Sequence, residues 1–402
     1  MAKITDLSLD EYQQRCEYAD QLPDNEEAIK QLRFGFFGEI GGLLSAVKKS
    51  HREKPVSASR RESAEEEIGD ALWYLATILR REGCQLSQVG EDAIIQLRTR
   101  LGVGDSRRPE NGITFGQIDG LIEFQRDQAP KDFSALLYEL AGRTGSLFAS
   151  DEASSQESPR RDKIDVYGGL LALLALVAGA FHLCLKSVSS RNLEKIESRW
   201  KPSDAPYPRL FDEELSEFER LPRKFEIEFL EREIGPRITV VQRWGPVNIG
   251  DAITDNRSEP DHYRYHDVFH LAYVAHLGWS PVIRGLLKLK RKSQPTVDEN
   301  EDGARAMIIE EAIATWIFNH ARDKGNFFEG VEVGKLEYGL LKQISSLVSG
   351  YEVEQCPLWQ WERAILDGFA VFRQLRDNGG GTVKVNMLER SLTYIPLAKI
   401  AK

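Results

Sequence analysis

The chain has 402 residues, 41% of them hydrophobic and 29% charged, which is too long for one ordinary domain and suits a soluble protein with sizeable cores. Its 63 acidic residues outnumber the 53 Lys and Arg, and the net charge of −10 argues against nucleic-acid binding by bulk electrostatics while leaving room for a phosphorylated substrate held by a metal. Cys16, Cys84, Cys184 and Cys356 stand far apart in no paired motif, so a reducing cytoplasm is expected, without a zinc ribbon or a disulfide framework.

The N-terminal MAKITDLSLDEYQQ lacks the apolar core of a signal peptide. Residues 8–20 read as an amphipathic helix, and Asp24 and Asn25 precede a second helix start. From Leu32 to Arg81 two helices are written with acids on an apolar background: Glu39 in the first, and Glu66, Glu67 and Asp70 in the second. Residues three and four apart share a helix face, so Glu67 and Asp70 point the same way and Glu66 nearly so. Ile68, Leu72, Leu75 and Ile78 are spaced to face a core. Carboxylates at the edge of such a face cost desolvation energy unless a positive charge sits among them, and Mg2+ is the hard cation that oxygen ligands suit, with Mn2+ as an alternative. Lys48 ends the first acidic helix and is a candidate phosphate donor. Residues 50–63 read as a polar connector, and residues 86–101 as the fourth helix of a small bundle.

The pattern GEIGGLLSAVKK followed by EEIGDALWYLA resembles the MazG-like, all-α nucleoside triphosphate pyrophosphohydrolases over roughly residues 8–102. Glu39 matches the first glutamate of the family signature, and Glu67 and Asp70 match its second acidic pair; Gly42 stands where the family has another glutamate. The resemblance implies a Mg2+ site on Glu39, Glu67 and Asp70, a nucleoside triphosphate substrate, and release of a nucleoside monophosphate and pyrophosphate, with Glu66 as the catalytic acid left free of metal. It is also compatible with a homo-oligomer, because MazG-like units usually pair.

A second stretch echoes the first. FFGEIGGLLSA (residues 36–46) aligns with LAGRTGSLFAS (residues 140–150), and Gly69 falls on Gly168 without a gap in the helices that follow. The acids do not survive: Glu39 becomes Arg143, Gly42 becomes Ser146, Glu67 becomes Val166 and Asp70 becomes Gly169. Three segments are therefore expected: 1–105, a helical unit with the acidic site; 106–202, a degenerate repeat without the acids; and 203–402, a histidine-rich helical domain. Residues 151–163 read as a polar loop within the repeat. The apolar run from Gly168 to Leu185 is nearly long enough to span a membrane, but its Gly and Ala content and His182 favour a buried bundle helix. Three prolines between Lys201 and Pro208 mark a boundary.

Beyond that boundary, Arg237 to Arg243 reads as a strand or hairpin. Five of the seven histidines lie between His262 and His320. His262, His266 and His270 are four apart, as on one helix face, and Asp267 pairs with His270 at a spacing of three. In the downstream helix AMIIEEAIATWIFNHARD, Glu311, Thr315 and Asn319 form a polar stripe at four-residue spacing, with Glu310 beside it. Asp267, His270 and Glu310 are candidate ligands of a second metal centre, and Glu311 is its candidate catalytic acid. Lys290, Arg291 and Lys292 offer donors to phosphate. Residues 297–303 read as a solvated acidic loop. This region resembles the MazG C-terminal domain. The tail after Gly379-Gly380-Gly381 reads as a strand and a docking segment. The expected fold is mainly α, with tandem MazG-like four-helix units, a helical C-terminal domain and a small strand or hairpin element. Alternatives to hydrolysis at the first site are a nucleotide-sensing or scaffold protein, and a phosphohydrolase centred on the C-terminal domain.

Overall fold

The computed structural model describes residues 6–52, 57–103, 112–123, 133–153, 160–202, 205–235 and 237–397. The chain divides into two compact units, Met1–Glu197 and Ser198–Lys402. It is mainly helical, with fifteen α-helices and a five-stranded antiparallel sheet among the described residues.

The first unit contains α1 (Leu9–Cys16), α2 (Glu26–Arg52), α3 (Ser57–Arg81), α4 (Leu86–Leu101), α5 (Phe115–Glu123), α6 (Phe133–Ala153), α7 (Arg160–Ala180) and α8 (Leu185–Arg199), the last two residues of α8 lying past the division. Leu32, Phe36, Ile40 and Leu43 form the buried stripe of α2 and face Ile68, Leu72, Leu75 and Leu79 of α3. Each such side chain contributes roughly 1.5–3 kcal/mol of burial energy. Helix α7 packs on α4, α5 and α6. Its segment Lys163–Ala180 is long and apolar enough to cross a membrane by composition, yet 67% of it is buried within the protein, so helix packing accounts for its hydrophobicity.

Both expected polar connectors are shorter than the sequence implied. The stretch 50–63 is helical to Arg52 and again from Ser57, and the stretch 151–163 is helical to Ala153 and again from Arg160; residues 53–56 and 154–159 lie outside the described residues. The Ser, Arg and Glu of these stretches are compatible with helix, and polarity alone does not stop one.

The second unit begins with β1 (Lys224–Ile234), β2 (Arg237–Trp244) and β3 (Val247–Ile253). Helices α9 (Asp267–Leu277), α10 (Pro281–Leu286), α11 (Pro295–Asn300), α12 (Ala304–Arg322), α13 (Gly325–Phe328), α14 (Tyr338–Leu347) and α15 (Leu358–Asn378) follow. The chain closes with β4 (Gly380–Asn386) and β5 (Ser391–Ile395), and the sheet order is β3-β2-β1-β4-β5. The C-terminal hairpin is thus an integral part of the sheet, because β4 pairs with the central strand β1. Phe225, Ile227 and Phe229 of β1 turn inward with Val383 and Val385 of β4, and α9 and α15 cover this core. Every residue of α9 is buried. A helix buried all round must satisfy each polar group it carries, which directs attention to Asp267, His270 and His276.

Candidate functional site

In the first unit, α2 and α3 bring Glu39, Glu67 and Asp70 together. Glu39 and Glu67 are hydrogen-bonded to each other, and burial, that contact and the nearby Asp70 push the Glu39 carboxyl up to about 8. Gly42 has a geometric reason. A Cβ built there would lie 2.1 Å from Glu67 Oε2, so the Glu67 carboxylate fills the volume that a side chain at this position would need. Helix α8 closes the cluster. Lys195 Nζ donates to Asp70 Oδ2 at 2.5 Å and to Glu66 Oε1 at 3.3 Å, and Asn192 Nδ2 donates to Asp70 Oδ1 at 3.0 Å. Tyr12 OH fixes Asn192 by donating to its Oδ1 at 2.7 Å. Burial raises the Asp70 carboxyl even though Lys195 opposes it. Lys48 is exposed. It lies nine residues beyond Glu39, about 14 Å along the helix, and so stands apart from the acids.

One consequence concerns stability. Between about pH 4.5, the ordinary glutamate value, and about 8, Glu39 keeps a proton in the folded chain that it loses on unfolding. The metal-free protein is therefore expected to lose stability as pH rises through that window. Thermal melts from pH 5 to pH 8 in chelator check this. Glu39→Gln should flatten the decline, and a wild-type melting temperature that rises with pH would contradict it.

In the second unit, the start of α9 meets α12. His270 Nδ1 donates to Glu310 Oε1 at 2.8 Å, and Glu310 also accepts from Ser280 Oγ at 2.6 Å and from the Val282 amide at 2.9 Å. The Glu310 carboxylate is thereby used up behind His270. It orients the ring from behind, a role beyond the metal ligation expected of it from the sequence. His266 Nδ1 donates to the Tyr263 carbonyl at 3.0 Å. Asp267 Oδ2 accepts from Gln242 Nε2 on β2, and Asp267 Oδ1 lies 3.1 Å from His266 Nε2. Glu311 Oε2 stands 3.7 Å from His266 Nε2 and 3.5 Å from His270 Nε2. His266, Asp267 and His270 each offer a ligand atom, all within 4.8 Å of one another. Burial alone would depress the His270 imidazolium, but the Glu310 and Glu311 carboxylates outweigh it and hold its pKa well above the ordinary value.

The stripe expected from His262, His266 and His270 does not form. His262 has φ 67° and precedes a single 3-10 turn, Tyr263–Tyr265, so α9 starts only at Asp267. The basic stretch is also reassigned. Arg291 is 1% exposed and donates to Asp302 and Glu352, so its guanidinium is committed to carboxylates and is not a phosphate donor. Lys292 Nζ pairs with Asp298 at 2.6 Å, and Lys290 is half-buried near Gly285. Asp302 is fully buried, so residues 297–303 are not simply a solvated acidic loop. The sequence does not single out Gln242, Asn192 and Lys195 as site residues, nor His266 as a ligand. Only His266 left a sequence signal, its four-residue spacing to His270.

Comparison with known proteins places these sites in context. Residues 206–398, most of the second unit, match the family model of the MazG C-terminal domain. The chain is also similar to the Gene 37 protein of Mycobacterium phage L5, with 29% identity over 92 residues, covering 21% of this chain and 81% of that protein. No solved structure matches the chain. The MazG relation points to a nucleotide-related function.

Proposed function

We propose that the protein is a Mg2+-dependent nucleoside triphosphate pyrophosphohydrolase that uses the acid cluster of the first unit. The observation carrying this reading is the convergence of Glu39, Glu67 and Asp70 from two helices, with Glu66 beside them; burial, together with the Glu67 and Asp70 carboxylates, pushes the Glu39 carboxyl up to about 8. An all-oxygen donor set of this kind fits a hard divalent cation. When bound, the cation would polarise a phosphoryl oxygen and lower the pKa of an attacking water. Glu39, Glu67 and Asp70 would hold it, and Glu66 would accept the proton of the water. Lys195 and Asn192, already donating at Asp70, would turn their donors toward phosphate oxygens.

The reading extends to residues 6–197 as two diverged copies. Ser8 and Thr114, each just ahead of a helix, pair with each other in an antiparallel bridge. Gln13 Oε1 accepts the Leu86 amide that starts α4, and Asp119 Oδ1 accepts the Leu185 amide that starts α8. Beside Gly169, where the first copy has Asp70, stand Gln96 and Arg143. Each copy thus lends its last helix to the acid-site position of the other, which explains why Asn192 and Lys195 reach Asp70.

One observation favours a second reading, a protein that binds a nucleotide without cleaving it: Lys195 already neutralises Asp70 and Glu66. A panel of ribo- and deoxyribonucleoside triphosphates separates the two. Turnover that requires Mg2+ or Mn2+ and stops with chelator is expected; binding without turnover would overturn the hydrolase reading.

Gly42→Ala offers a local check. The added methyl displaces the Glu67 carboxylate, whose side chain can yield without disturbing the backbone. Activity should fall several-fold with the melting temperature unchanged; equal activity would show that the placement of Glu67 is immaterial.

A further inference from the structure

Helix α9 is buried on every side, yet its first turn carries an acid and an imidazole, with a second imidazole at the residue before it. His270 is 0% exposed, and its Nε2 makes no hydrogen bond among the described residues, its nearest carboxylate oxygen being Glu311 Oε2 at 3.5 Å. Gln242 Oε1, beside Asp267, is similarly buried and unsatisfied. A buried ring nitrogen left in this state costs about 1–3 kcal/mol and calls for a cause.

We propose that His266, Asp267, His270 and Glu311 bind one divalent transition-metal ion, in a centre separate from the acid cluster of the first unit. Both rings carry their Nδ1 donors outward, to the Tyr263 carbonyl and to Glu310, so both Nε2 atoms turn toward the carboxylates. This is the arrangement that fixes a histidine as an Nε2 ligand: a backbone carbonyl or a carboxylate behind the ring selects the tautomer and raises the basicity of the ligating nitrogen. Ser280 Oγ and the Val282 amide anchor Glu310 in turn, and Gln242 anchors Asp267.

The spacing fits a coordination shell. Ligands about 2.1 Å from a common ion stand roughly 3.0–3.5 Å from one another in octahedral or tetrahedral geometry. His266 Nε2 stands 3.1 Å from Asp267 Oδ1 and 3.7 Å from Glu311 Oε2, and His270 Nε2 stands 3.5 Å from Glu311 Oε2, so a small inward turn of the exposed Glu311 side chain would complete the shell. Two imidazoles with two carboxylates select Zn2+, Mn2+, Fe2+ or Co2+ over Mg2+, which prefers oxygen alone. The shell is walled on one side by Tyr263, stacked on His266 at 4.3 Å with its hydroxyl on Thr315. It opens on the other at Glu311, whose side chain is 42% exposed. A bound ion would keep a water, or an anionic oxygen of a ligand, at that open face. An open position of this kind marks a reactive centre; structural zinc sites are closed.

The test uses the full chain stripped with chelator and dialysed. Co2+ titration followed by visible absorption, and calorimetry with Zn2+, Mn2+ and Mg2+, should show, beside Mg2+ binding at the first-unit acids, one further site per chain that prefers the transition metals. His266→Gln and Glu311→Gln, each close in size to the original, should weaken binding by at least about a hundredfold, and Glu310→Gln by about 10–100-fold through the ring it orients. Circular dichroism and melting curves establish that each variant is folded. Glu67→Gln in the first unit should leave this binding intact. No uptake at micromolar metal, uptake unaffected by His266→Gln and Glu311→Gln, or uptake abolished by Glu67→Gln would overturn the proposal.

Discussion

Glu67→Gln is expected to reduce Mg2+-dependent pyrophosphate release by at least about a hundredfold, because a cation that polarises the phosphoryl group contributes several kcal/mol to the transition state and each 1.36 kcal/mol is tenfold in rate. Glu67 is hydrogen-bonded to Glu39 and fills the space over Gly42. Glutamine keeps its volume and can still bond Glu39, so the fold should hold and the melting temperature should shift little. The charge is lost, and with it the pull on a cation. Steady-state assays with a melting curve on the same sample give the answer. Near-wild-type turnover by the folded variant would move the chemistry away from the first unit.

Asp302→Ala is expected to destabilise the second unit by roughly 3–5 kcal/mol, since it leaves two buried guanidiniums with one acid fewer between them and the buried Arg291 amide without its acceptor. Asp302 is fully buried and accepts from the Arg291 amide at 2.8 Å and from Arg291 Nη2 at 2.8 Å, while Arg284 Nε lies 3.7 Å away. Arg284 and Arg291 are themselves 1% exposed, and in the variant Arg291 would retain Glu352 and Arg284 would retain Asp212. At about 2–4 °C per kcal/mol for a unit of this size, the melting temperature should fall by roughly 10 °C. A loss under 1 kcal/mol in urea titration would mean that the two remaining acids suffice.

How far the sequence could be read follows from the range of each interaction. The mainly helical architecture with a small strand element was legible, because apolar residues at helical spacing, such as Ile68, Leu72, Leu75 and Leu79, report their own burial. Strand β1 carries an equally plain signal: Phe225, Ile227 and Phe229 alternate with Glu226 and Glu228. The acids of α2 and α3 were legible as a cluster because helix periodicity aligns them locally. Their partners were not, since Lys195 and Asn192 lie more than a hundred positions away and no local pattern ties them to Asp70. Arg291 shows the converse. Its neighbours Lys290 and Lys292 made it resemble a phosphate contact, but Glu352, 61 residues on, turns it into a structural ion pair. At His262, spacing gave the wrong face because the backbone turns left-handed before α9 begins.

The central claim is hydrolysis between the α and β phosphates at the first unit. Phosphorus NMR of a nucleoside triphosphate incubated with the Mg2+-loaded protein tests it most directly. Equal amounts of nucleoside monophosphate and pyrophosphate are the expected products; nucleoside diphosphate with orthophosphate, or no turnover at all, would contradict it.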